Sequence, residues 1–278
     1  MEEEKLKKWL KISVLGLALF ALTGCGRADK KDEVVTGVVP TKQAEGESSS
    51  GSEDLENTVD PTTEPEGDSG ENVIIVLDPG HGGGFVGASY DGRNEKDLTL
   101  TMANYVKEYL EENYTGMEIY FTRQEDSALS GDVKEDLELR AQYAQDKNAD
   151  VLVSLHFNAS EDHSQQGSMI LVSHRDNVSE ASEELGNFIL EGFEELGLAS
   201  SGTITRDSND MFDDAGKPLD YYAINRHCAA RDIPGIIVEH CFMDNATDEQ
   251  FIDSEEDLRA LAKADAVGIA NYFGLAAK

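Results

Sequence analysis

The sequence predicts an α/β fold: a single domain over residues 72–278, with a mostly parallel twisted β-sheet flanked by helices. Two observations lead there. Short apolar, β-branched runs alternate along the chain with longer segments of helical periodicity, as in a sheet covered on both faces. Three of these runs end in polar residues suited to chemistry, and the carboxyl ends of parallel strands are where such sheets bind ligands.

The elements follow in chain order. Val73-Ile74-Ile75-Val76-Leu77 is continuously apolar and runs into a glycine-rich turn, the mark of a strand buried on both faces. Over 95–112, Leu98, Met102, Tyr105, Val106, Tyr109 and Leu110 recur at helical spacing and predict an amphipathic helix. A short strand is expected at 118–122. A helix at 137–147 carries Leu137, Ala141 and Ala144 on one face. Strands follow at 149–157 and 168–173, then a helix at 179–196, a strand at 235–242 and a closing helix at 256–273. Residues 203–222 read as a loop beside the last strand.

Composition narrows the function. The chain has 56 acidic and 23 basic residues and a formal net charge of −33. That excess excludes nucleic acid as a partner, because phosphates need Lys and Arg. It also argues against a basic module gripping an anionic wall. Residues 1–11 carry Lys5, Lys7, Lys8 and Lys11, and an apolar run follows over 12–22. The run is shorter than the roughly 20 residues that span a bilayer, so it reads as a secretory signal. It ends in Leu22-Thr23-Gly24-Cys25, which resembles the lipobox of bacterial lipoproteins. On that reading 1–24 is a lipoprotein signal peptide and Cys25 is lipidated, each buried CH2 contributing about 0.8 kcal/mol to the anchor. Residues 25–71 form an acidic Ser/Thr/Gly/Pro linker without aromatics, expected to be disordered. As a flexible coil of about 45 residues it reaches roughly 40 Å. The expected location is the outer face of the cytoplasmic membrane, in the cell-wall space. An exported protein could pair Cys228 and Cys241, but Cys241 sits in an apolar strand pattern where a free thiol behaves as a small hydrophobe.

The first strand runs into Asp78-Pro79-Gly80-His81-Gly82-Gly83, another ends Ser154-Leu155-His156-Phe157-Asn158, and the last ends Val238-Glu239. Glu95 opens the first helix, where the dipole favours a carboxylate in any case. Together His81, Glu95 and His156 make a His2Glu set, a catalytic zinc composition that leaves a fourth position open. His240 neighbours Glu239 and so points to the opposite face of its strand; it reads as packed or wall-facing. His163, His174 and His227 lie in polar stretches and read as surface residues. Thr122-Arg123 and Asp126 read as a structural pair, Arg140 as structural, and Asp78 or Asn158 as candidates to orient a metal ligand.

These stretches, with Asn94-Glu95, Thr122-Arg123-x-x-Asp126, Leu137-x-x-Arg140 and Val238-Glu239-x-x-Phe242-x-x-Asn245, resemble in order the motifs of the zinc N-acetylmuramoyl-L-alanine amidases of the amidase-3 type. The resemblance covers essentially all of 72–273. It implies that His81, Glu95 and His156 bind Zn2+, that Glu239 is the catalytic carboxylate, and that the substrate is peptidoglycan. Two positions depart from the family pattern: Cys241 stands where Gly is usual, and Asp244 where Ser or Thr is commoner. The same metal set would serve a wall peptidase or a polysaccharide deacetylase, and a wall-binding lipoprotein without catalysis is the third alternative. The order of the motifs favours the amidase. The segment 203–222 is expected to border the substrate groove. The sequence specifies no oligomeric state.

Overall fold

The structure is a computed structural model, and it describes residues 72–278. The expected leader 1–24, Cys25 and the linker to residue 71 lie outside the described residues. In chain order the elements are β1 (Val73–Pro79), β2 (Ser89–Tyr90), β3 (Arg93–Asn94), α1 (Glu95–Asn113), β4 (Tyr114–Thr115), β5 (Met117–Phe121), α2 (Val133–Asp146), β6 (Val151–Asn158), β7 (Ser168–Leu171), α3 (Ser179–Glu195), β8 (Ser200–Ile204), β9 (Asp207–Phe212), β10 (Pro218–Asp220), α4 (Ala223–Ala229), β11 (Gly235–Phe242), α5 (Glu255–Phe273) and β12 (Ala276–Ala277). A single 3-10 turn, Glu249–Phe251, precedes α5.

Six strands form the central sheet in the order β5-β1-β6-β11-β7-β8. The pairs β1–β5, β1–β6, β6–β11 and β7–β8 are parallel, and β11–β7 is antiparallel. The mixed α/β fold with a mostly parallel sheet is therefore as expected, with one antiparallel joint. Because side chains alternate along a strand, each central strand feeds two cores. Ile75, Leu77, Val153, Leu155, Ile236 and Val238 pack against Met102 and Val106 of α1, Leu185 and Ile189 of α3, and Leu261 and Ile269 of α5. Val76, Leu152 and Ile237 face the other way, onto Ala141 and Ala144 of α2 and Ile224 and Cys228 of α4. Each such side chain, taken fully out of water, contributes about 1.5–3 kcal/mol. Among the described residues, Cys228 and Cys241 are both buried and free.

Local chemistry sets the boundaries. The α2 helix starts at Val133, four residues before its apolar periodicity begins, because the Asp132 side chain accepts from the amides of Lys134 and Glu135 and so caps the first turn. Ser254 and Asp257 form a capping box on α5, and Gly274 closes it with φ 62°. Residues 203–222 are not a loop throughout. They hold the end of β8 and a β9–β10 ribbon whose turn is nucleated by Asp213, which accepts from the amides of Ala215 and Lys217. Polar residues on both faces of this ribbon hide the alternation by which a strand is read. The seven-residue α4 is also absent from the expected elements, being too short for a periodic signal. No helix among the described residues is long and apolar enough to cross a membrane.

Candidate metal centre

The β1 strand delivers the chain to Gly80 and His81 at the carboxyl edge of the sheet. His81 takes a left-handed backbone, φ 62°, unusual without glycine, and the turn is held from outside. Arg123 donates from Nε to Pro79 O at 2.9 Å and from Nη2 to Gly80 O at 2.9 Å. Arg140 donates to Pro79 O at 2.9 Å and His81 O at 2.6 Å. Lys96 Nζ donates to Gly83 O at 3.1 Å, and Asp126 accepts from Gly83 N at 2.7 Å. Three cations thus hold four carbonyls. Arg140 is itself neutralised by Asp78 and Asp136, each at 2.7 Å, and all three are buried. Burial alone would raise the Asp78 carboxyl, but Arg140 and the hydroxyls of Ser154 and Thr122 hold it below the ordinary range.

The ligand-type side chains converge from three elements. Glu95 begins α1 and is 5% exposed. Its Oε2 lies 3.0 Å from His81 Nε2 and accepts from Ala88 N at 2.8 Å. Its Oε1 lies 3.0 Å from His156 Nδ1 and accepts from Phe157 N at 3.2 Å. One donor atom from each of His81, Glu95 and His156 fits within 4.8 Å of the others. Donors about 2.0–2.1 Å from a tetrahedral ion stand roughly 3.3 Å apart, so the spacing suits a small divalent cation. The two imidazoles remain partly open to solvent, at 27% and 17%. Burial opposes a charge on Glu95, but the two histidines pull its carboxyl far below the ordinary range. Burial also lowers His156 despite Glu95, favouring the neutral imidazole that metals require.

Glycine keeps the space free. A Cβ on Gly80 would overlap the His156 ring, and one on Gly87, whose φ is +72°, would fall 2.5 Å from Glu95 Oε2.

Glu239 stands opposite His156 in the β11–β6 register. It shares the strand face of Ile237, on the α2/α4 side. Its Oε2 is shut off from solvent and, like Asp244 Oδ1 and Asp265 Oδ1, has no hydrogen-bond partner among the described residues. Buried polar atoms are normally satisfied; of these three oxygens, only that of Glu239 belongs to the residue in register with His156. Burial, with the Glu95 charge behind it, pushes the Glu239 carboxyl up to about 8. His240, on the other face, is fully buried, with Nδ1 2.7 Å from His156 O and Nε2 2.8 Å from Asp265 Oδ2. It is packed, stacked on Phe157. Asp265 holds its imidazole above the ordinary range against the effect of burial.

Other expectations need correction. Asn158 touches no ligand; its amide contacts Met169 Sδ at 3.8 Å. Asp78 acts at one remove, through Arg140. Thr122 and Arg123 do not pair directly with Asp126: Thr122 donates to Asp78, Arg123 donates to backbone carbonyls, and Asp126 bonds Lys96. His163 is exposed, as read from the sequence, and meets Asp244 at 2.7 Å. His174 and His227 are half-buried, and His174 lies 2.9 Å from buried Asp220. Lys96, Thr99 and Asp136 hold the centre, Thr99 by donating from Oγ1 to Gly80 O at 2.8 Å, but carry no signal in a single sequence; each looks like an ordinary helix residue until the fold brings it to a carbonyl or a guanidinium.

The sequence profile of the N-acetylmuramoyl-L-alanine amidase family matches residues 75–271. The chain is 28% identical to the N-acetylmuramoyl-L-alanine amidase CwlM of Bacillus licheniformis over 73% of its own length and 70% of the relative's. It is 27% identical to AmiC of Neisseria meningitidis over 74% of its length, spanning about half (54%) of that protein. Among solved structures, Cwp6 from Clostridium difficile superposes with a TM-score of 0.62 at 28% identity, over 73% of this chain and 30% of that one.

Proposed function

The chain belongs to the N-acetylmuramoyl-L-alanine amidase family, and from that membership we propose that it hydrolyses the amide bond between N-acetylmuramic acid and L-alanine in peptidoglycan. His81, Glu95 and His156 hold Zn2+, and Glu239 is the acid–base residue. The single observation that carries the reading is the unpartnered Glu239 carboxylate oxygen, in register beside His156. When bound, Zn2+ supplies a Lewis acid for the amide carbonyl and makes water easier to deprotonate. A secondary amide has a poor leaving group, so the departing amine must receive a proton. Glu239 takes the proton of the attacking water and returns it to the nitrogen of L-alanine. A carboxyl pushed up to about 8 suits both directions of transfer near neutral pH. The clamp on Pro79, Gly80 and His81 keeps His81 from swinging away, and the side of the centre left open by the two imidazoles admits substrate.

Cys25 as the lipidated residue, residues 1–24 as the leader and 25–71 as the tether would place this chemistry on the outer face of the membrane, within reach of the wall. The lipobox-like Leu22-Thr23-Gly24-Cys25 supports that placement.

Mass spectrometry of digested muropeptides tests the activity. Free stem peptides with N-terminal alanine are expected, and a chelator should abolish their release. Shortened stems would reassign the chain as a peptidase, and deacetylated sugars as a deacetylase. Glu239→Ala is expected to keep zinc and lose turnover by at least about a hundredfold; wild-type turnover would remove Glu239 from the chemistry.

A further inference from the structure

Arg206 is a cation of the 203–222 segment, none of which the proposed chemistry uses. We propose that Arg206, fixed beside Tyr222, reads a free carboxylate on the stem peptide, so that the peptide half of the substrate lies along the β8–β10 side of the centre. The inference rests on the amidase reading above and adds an orientation and a specificity to it.

Three observations support it. The first is position. Met169 stands opposite Glu239 in the β7–β11 register. Met169, Ile204 and Tyr222 each pack against the core on the α2/α4 face, the face that Glu239 shares with Ile237. Tyr222 is on that face and within reach of the Glu239 charge. Burial raises its phenol above the ordinary range against the lowering pull of Arg206, and the charge of Glu239 adds to the rise. The second is rigidity. The Arg206 guanidinium lies over the Tyr221 ring, 3.8 Å from its centroid, and Arg206 O accepts from Tyr221 N at 2.8 Å. A stacked guanidinium is a preorganised fork for carboxylate.

The third observation is charge. Arg93, Arg140, Arg175, Arg231 and Arg259 each have a carboxylate partner, while Arg123 and Arg226 instead donate to backbone carbonyls. No carboxylate among the described residues pairs with Arg206, in a chain with 56 acidic residues. Beyond its bond to Tyr222, this half-buried guanidinium has donors to offer a ligand carboxylate. The substrate's chemistry then fixes the ligand. The sugar half offers hydroxyls and acetamido groups without charge, whereas the stem peptide carries carboxylates. A cation on one flank of the acid–base residue marks the peptide flank.

The test uses two soluble muramoyl peptides that differ only in having the carboxylate nearest the scissile bond free or amidated, with the zinc-loaded protein. Wild type is expected to favour the free acid. Arg206→Gln is expected to raise KM for the free acid about tenfold or more, to leave kcat within about twofold, and to leave the amidated peptide unaffected. Arg206→Lys should restore part of the preference. Melting curves accompany each variant, and Arg206→Lys decides the matter if Arg206→Gln fails to fold. Equal effects of Arg206→Gln on both peptides, or no effect on either, would overturn the inference while leaving the amidase activity standing. If the wild type cleaved neither peptide, the activity itself would fall and this inference with it.

Discussion

Removing the guanidinium under the His81 turn isolates what holds the centre together. Arg140→Met keeps most of the volume and the helix propensity of α2 while deleting one charge. The structure sets the magnitude. Asp78 and Asp136 are 1% and 2% exposed, so both carboxylates stay buried without their cation, and Pro79 O and His81 O each lose a donor. Breaking a buried ion pair from one side costs about 3–5 kcal/mol. Loss of about 4 kcal/mol is a large share of the roughly 5–15 kcal/mol that holds a domain folded. At about 2–4 °C per kcal/mol for a domain of this size, Tm should fall by about 8–16 °C. The effect should depend on pH with a definite sign. In the wild type the folded Asp78 is depressed, so its contribution is present above the unfolded value and lost in acid. Without Arg140, only the hydroxyls of Ser154 and Thr122 oppose burial and the folded value rises, so ionisation of Asp78 supports the fold less or works against it. The wild-type-to-variant difference should therefore widen from pH 4 to pH 8. Circular-dichroism melts across that range measure it. A Tm loss below about 3 °C, or one flat with pH, would refute the account of stranded charge.

Two further outcomes follow from the same geometry. Gly80→Ala drives a methyl into the His156 ring; the domain should still fold, while zinc affinity measured by competition with a chromophoric chelator drops by about tenfold or more, and unchanged affinity would mean that the ring is not held where it is needed. In the metal-stripped protein Glu239 has a raised folded value, about 8, so its stabilising contribution is complete below the unfolded carboxylate range and is lost as pH rises through about 8; Tm should decline over that interval, and Glu239→Gln should flatten the decline.

Fold and centre differ in how far a sequence exposes them. The strands β1, β6 and β11 are continuous apolar runs, and α1, α3 and α5 carry clear stripes, because both depend on burial that any chain must encode as hydrophobicity. His81 and Glu95 stand out because they follow β1 and open α1, and His156 and Glu239 because they interrupt the apolar pattern of β6 and β11, where such residue types have little packing reason to be. The β9–β10 ribbon and α4 do not stand out. One is polar on both faces and closed by an Asp213 turn; the other is a single short helix whose Ile224 and Cys228 find their core only after folding. The same holds for the clamp. Asp78 and Arg140 lie far apart in the chain, and no local pattern in either stretch announces their contact.

Glu239 and His240 show how one fold makes adjacent buried residues differ. They occupy consecutive positions on β11 and face opposite sides of the sheet, and burial works against a charge on both. On the α3/α5 face Asp265 meets the imidazole at 2.8 Å, and a second bond ties it to the backbone of His156. Every ring nitrogen of His240 is used, so the residue is fixed in place. On the other face, among the described residues, Glu239 is given no ion-pair partner and no donor for its Oε2, and its charged neighbour, Glu95, has the same sign as its own ionised form. Burial therefore remains uncompensated until something binds. Adding a partner to Glu239 from within the protein would stabilise the fold and remove the group's capacity to exchange a proton. Its isolation is thus a stability cost retained at the one position where the proposed reaction has a use for it.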